Sequence, residues 1–284
     1  MMKHEITHRL IVGLVPFIGG LVLLQMSLQL VHQWSDMDSY LNLNNLFSKL
    51  ITDIFMNHTL FELIFNGIIG FTVARMIWQA CKQSYLQQKW NVIFNNKKHN
   101  ELTKKLNKKY KSWNTNFLVV RDSSFFALTM GLFHPKIIVS TGLLEVIQGK
   151  ELEAIFYHEK YHCEKHDPMK IFLITLVMNG MSYIPAIKGV VKYYKIWKEL
   201  LADRFAITNM GSTLELGNAL LKMISYGKQQ QVVGVHFGGT AIDYRILQII
   251  EPNSVIIVPS LTFRSMLGSI IVLVCMMFIT FFGH

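Results

Sequence analysis

The sequence predicts an α+β domain threaded onto membrane helices. Three observations predict it. The chain of 284 residues is 51% hydrophobic and only 16% charged, well short of the roughly 25% charge of soluble domains, and its mean hydropathy is +0.31. It carries uncharged runs of bilayer length near both ends. Between them lies a polar segment that alternates helical and β-branched patterns.

Leu10 to Val31 is an uncharged run of about 22 residues, enough to cross a bilayer as a helix. It follows Lys3, His4 and Arg9 as the core of a signal peptide would, but it is longer than such a core and has no small-x-small cleavage site after it. It is expected to stay as an anchor. Leu60 to Ala80 is the second expected span, with Glu62 and Arg75 near its ends, and Met266 to Phe282 is the last. The organisation expected is a membrane region over 1–81, a metal-bearing domain over 82–263 and a C-terminal span over 264–284.

Charge orients these spans. Lys49 is the one basic residue between the first two, whereas nine lysines from Lys82 to Lys111 follow the second. By the positive-inside rule the N-terminus and the domain after the second span face the cytoplasm. The net charge of +10 therefore points to topology and to anionic lipid. Direct nucleic-acid binding is not expected, because no recognition motif accompanies the charge. Ile171 to Ile187 is apolar for about 17 residues, but four lysines from Lys188 to Lys198 leave no room for a return crossing. It is expected to pack on the spans or dip into the membrane, turn at Pro185 and stay on the cytoplasmic side.

Within the domain, Asn100 to Trp113 reads as a polar helix. Phe117 to Asp122, Ser124 to Met130 and Lys136 to Thr141 are β-branched and aromatic runs separated by turn residues, hence short strands. Gly142 to Ile147 and Lys150 to Lys165 are the next helices. Cys81, Cys163 and Cys275 are odd in number and far apart, so no disulfide framework is expected.

The chemistry sits in AIFYHEKYHCEKHDP, Ala154 to Pro168. His158-Glu159-Lys160-Tyr161-His162 places two imidazoles four apart, on one helix face and one turn from each other. That spacing suits one zinc ion, and the glutamate after the first histidine lies where it can take a proton from an attacking water. The alternative is a polar turn of an amphipathic helix. His166 is about 12 Å along the axis from His158 and cannot join one ion from a straight helix. Glu199 is the better third ligand, with Asp203 one turn later to hydrogen-bond a ligand histidine from behind; a plain surface pair is the competing reading. Asp167 would cap the next helix, with Pro168 at its first position, or support the ligands. His236 and Arg245 are candidates to meet the oxyanion or the substrate. For Arg245, a structural pair with Asp243 or Glu251 competes. An extended substrate would pair along the edge of the strand at Ser124 to Met130.

Four blocks, Gly131 to Leu143, Glu151 to Asp167, Glu199 to Ala206 and Asp243 to Ile249, occur in the order seen in BlaR/MecR-type membrane metallopeptidases, and the chain resembles that family over most of Lys82 to Phe282. The resemblance implies a cytosolic gluzincin-like domain with a small sheet among transmembrane helices of the cell membrane. It implies one Zn2+ per chain on His158, His162 and Glu199, with Glu159 as the base. It further implies a protein or peptide substrate, such as a transcriptional repressor of the BlaI/MecI type. The residues up to His284 hold no counterpart of the large extracellular penicillin-binding domain of those sensors, so β-lactam sensing is not expected. Two other readings stand beside this one. HtpX-type quality-control proteases share HExxH and a later ExxxD helix, and a non-catalytic transducer or immunity protein would hold zinc only for structure.

Overall fold

The computed structural model describes residues 58–229, 239–252, 254, 256–258 and 261–282, with a few helical positions between 19 and 31. For 58–62, 227–229, 239–240 and 277–282 it describes the backbone alone. Most of the expected span at Leu10 to Val31 falls outside the described residues, as does His236.

The chain is mostly helical with one small sheet. A long helix, α1 (His58–Asn96), leads into α2 (Asn100–Lys109), and a 3-10 turn (Lys111–Trp113) precedes β1 (Asn116–Val120). Then come β2 (Ala127–Met130), β3 (Lys136–Ser140), α3 (Thr141–Val146) and α4 (Gly149–Glu164). The rest is α5 (Asp167–Gly180), α6 (Pro185–Met210), α7 (Leu214–Gln229), α8 (Gly239–Ile250) and α9 (Phe263–Phe282). These elements fall into two compact units: residues to Cys81 with Ile174–Lys192 and Pro259 onward, and Lys82–Leu173 with Tyr193–Val258.

In the second unit the sheet order is β1-β3-β2, with β1 parallel and β2 antiparallel to β3. The central strand reads Ile137, Ile138, Val139 without polar alternation, because both faces are covered. Ile137 and Val139 join Phe117, Leu143, Ile155 and Phe156 in one cluster, while Ile138 joins Phe94, Leu118, Val120 and Phe126 in another. That is the two-residue period of a strand dealing side chains to opposite faces. The hairpin between β2 and β3 turns at Gly131, whose φ of 118° and whose approach to the His134 carbonyl oxygen exclude a Cβ.

α2 begins at His99, whose Nδ1 accepts from the Leu102 amide, and it carries Glu101 in its first turn and Lys108 and Lys109 in its last. Each sits at the end of the macrodipole that favours its charge. α4 lays Ile155 and Phe156 on the sheet and stops where His166 takes a left-handed φ of 52°.

Some boundaries differ from expectation. The second expected span continues unbroken to Asn96, because no Pro or Gly interrupts it after Gly70, so Arg75 lies mid-helix rather than near an end. The apolar run from Ile171 does not reach Pro185 as one helix. It ends at Gly180, and Pro185 opens α6 as a first-turn proline, whose missing N–H costs nothing there.

In the first unit, Gly180 lets α5 approach α1 closely; a Cβ there would run into the Met76 side chain. Thr72 and Tyr183 hydroxyls meet at 3.2 Å. Among the described residues one helix, over Leu63–Asn96, is long and apolar enough to cross a membrane, and Phe263–Met276 is a shorter apolar helix.

Candidate metal centre

α4 supplies His158, Glu159 and His162, all buried where the helix crosses the second unit's interior. The two Nε2 atoms stand 3.2 Å apart. α6 brings Glu199 Oε2 to 3.3 Å from the first and 3.8 Å from the second. Bonds of 2.0–2.1 Å at tetrahedral angles put ligand atoms about 3.4 Å apart. The three donors are thus spaced as one zinc-sized ion would hold them. Among the described residues, this is the group of histidine, cysteine and carboxylate side chains that converges in this way.

Each imidazole is fixed from behind. His158 Nδ1 lies 2.7 Å from Asp203 Oδ1, and His162 Nδ1 lies 2.7 Å from Asp167 Oδ2. An ionised carboxylate only accepts, so each Nδ1 donates and each Nε2 turns its lone pair toward the other and toward Glu199. Three acceptors that close repel one another unless a proton or a cation sits among them. The titration of His158 reflects this. Burial and Arg245 oppose a charge on it, yet Asp203 and the hydrogen bonds to Asp203 and Glu199 win and push it up to about 9. Glu199 is held well below the usual carboxylate range, burial being outweighed by Lys198 and the two histidines. Around the centre, the carboxylates Glu199 and Asp203 are met by Lys198 and Arg245, and Asp167 by Lys170 at 3.8 Å. Donor set and spacing both fit a single zinc-sized ion.

Glu159 points into the same cavity, of about 250 Å3. Thr129 Oγ1 on β2 stands 2.8 Å from Glu159 Oε2 and 2.9 Å from its carbonyl oxygen, so one hydroxyl proton is shared between side chain and backbone of the same residue. Ala127, Leu128 and Thr129 line the cavity. β2 is an edge of the sheet, and among the described residues no strand pairs with its outer side.

Asp167 takes the supporting role, one of the two open to it, and Arg245 takes a partner that was not expected. Asp167 does not cap α5; it is that helix's first residue, and its carboxylate goes to His162 because His166, in the left-handed turn, takes the cap position instead. Arg245 pairs with neither Asp243 nor Glu251. Its Nε and Nη2 donate to the two oxygens of fully buried Asp203 at 2.7 and 2.8 Å, while Nη1 lies 3.7 Å from Glu199 Oε2 in the lining of the cavity. His166 is not among the converging ligands. Cys163, buried with its thiol pushed up to about 12 by burial, is no ligand either.

Thr129 and Lys198 escaped the sequence reading. A threonine in a strand has no local signature of the helix it will face. Lys198 stood only as one of four lysines in an interval, though its place immediately before Glu199 was a usable signal.

No curated protein sequence matches the chain beyond chance. The model of the family described as BlaR1 peptidase M56 matches residues 42–249, well over half of the chain. The chain therefore belongs to that family of metallopeptidases.

Proposed function

We propose that this member of the BlaR1 peptidase M56 family is an integral-membrane zinc endopeptidase with a cytoplasmic active site, acting in regulated proteolysis such as cleavage of a BlaI/MecI-type repressor. The observation that carries the reading is the convergence of His158, His162 and Glu199 at single-ion spacing beside Glu159. Imidazole and carboxylate donors at this spacing suit zinc. When bound, the ion polarises the scissile carbonyl and lowers the pKa of the attacking water. Glu159, oriented by Thr129, takes the water's proton and returns it to the departing amine. Asp203 and Asp167 keep the imidazoles in the ligand tautomer, and Arg245 keeps Asp203 ionised. The substrate lies extended along the outer edge of β2, where its backbone finds unpaired partners.

Among the described residues three ligand atoms converge rather than four, which supports an enzyme over a purely structural zinc, since a structural site closes its shell. The apolar helix at Leu63–Asn96 and the lysines from Lys82 onward support the membrane setting and the cytoplasmic side. The test is Glu159→Ala in detergent-purified protein. Cleavage should fall by about 10²–10⁴-fold while zinc is retained. Wild-type cleavage by that variant would refute the mechanism.

A further inference from the structure

The cavity at the metal centre holds a cation that the mechanism above does not use. Lys198 lines it, and its side chain is only 16% exposed. Its Nζ stands 2.7 Å from Glu199 Oε1. The other carboxylate oxygen, Oε2, is the one that faces the two imidazoles, and the Arg245 Nη1 lies 3.7 Å from it. The two oxygens of one carboxylate are therefore divided: one is turned to the ligand histidines, the other to an ammonium.

That division has a chemical consequence. A carboxylate with both oxygens free can chelate an ion through both, and the second bond takes the place a water or a substrate carbonyl needs. Catalytic zinc sites work because that place stays open. For Oε1 to turn toward an ion on Oε2 and the two Nε2 atoms, it would have to leave a charge-assisted hydrogen bond in a largely buried site. A neighbouring positive charge also limits how tightly a dication is held. We propose that Lys198 is a positioning residue that confines Glu199 to a single ligand atom, trading metal affinity for an open coordination place. This rests on the zinc reading above.

The proposal makes an uncommon demand: removing Lys198 should not weaken the metal. The test uses detergent-purified full-length chain with cobalt(II) in place of zinc, as wild type, Lys198→Met, Lys198→Ala and Lys198→Gln. Cobalt's visible absorption is strong in four-coordinate sites and weaker in five-coordinate ones, and a chelator competition gives the zinc Kd. Lys198→Met and Lys198→Ala are expected to lose cobalt band intensity and to bind zinc at least as tightly as wild type, while peptide cleavage drops about 10–100-fold. Lys198→Gln, which still offers Oε1 an N–H, is expected to keep the wild-type spectrum. Should one of the first two not fold, the other carries the comparison. An unchanged cobalt spectrum in the folded variant, or a weakened zinc Kd, overturns the proposal and leaves Lys198 as ordinary support. Wild-type protein that takes up neither metal would instead sink the zinc reading.

Discussion

In the unit that carries the site, Asp203 has no exposed surface, and Arg245, His158, Glu159, His162 and Asp167 are all buried with it. In the other unit, Leu63, Phe71, Ile77 and Trp78 of α1 and Leu267, Ile270, Ile271 and Val274 of α9 face outward. One unit hides charge inside and the other displays hydrocarbon outside. Buried charge is tolerated only when each group is paired or hydrogen-bonded, and here imidazoles meet carboxylates, Asp203 meets a guanidinium, Asp167 meets an ammonium and Glu159 accepts from the Thr129 hydroxyl. Displayed hydrocarbon is tolerated only in a solvent that matches it, which is what the proposed bilayer provides. A stretch's function class thus follows from what its burial would cost, more than from how polar it is.

The largest way to break that contrast is Asp203→Ala. It strips Arg245 of a bidentate partner and His158 of its hydrogen bond at once. A loss of about 3–5 kcal/mol of stability is expected for an orphaned buried charge, with zinc affinity down by about 10–100-fold. Denaturant unfolding of the purified chain and a chelator titration check the two effects separately. Next is Ile270→Asp on the outward face of α9. In water such a change is worth about ±0.5 kcal/mol, but at the middle of a bilayer it costs about 2.5–3.5 kcal/mol. The inserted fraction after expression in membranes should fall sharply; unaltered insertion would remove the contrast between the units. The smallest is Thr129→Val, which keeps the branched shape of β2 and deletes only the hydroxyl on Glu159. Turnover should drop by about tenfold, the worth of one hydrogen bond to a charged group, with zinc content unchanged. Single-turnover kinetics on zinc-loaded protein would show it.

Legibility in the sequence followed the same divide. Local periodicity revealed α4, the three strands and the helix bearing Glu199 and Asp203, because four-residue and two-residue spacings are properties of the chain itself. His158, Glu159, His162 and Glu199 were visible for that reason, and the structure brings them together. What escaped was set by tertiary neighbours. Arg245 meets Asp203 across 42 residues and Thr129 meets Glu159 across 30, distances over which no sequence period speaks. Asp167 was nearer, five residues from His162, and its support of the ligands stood beside a capping role; the left-handed turn at His166 decides between them, and a histidine gives little warning of one.

Whether His158, His162 and Glu199 hold an ion is decided by the metal content of the detergent-purified protein, for wild type and for His158→Ala, Glu199→Ala and His166→Ala. One zinc per chain is expected, lost with His158 or Glu199 and kept with His166. A wild type that stays metal-free after growth with zinc, or one whose zinc survives both ligand substitutions, would contradict the account.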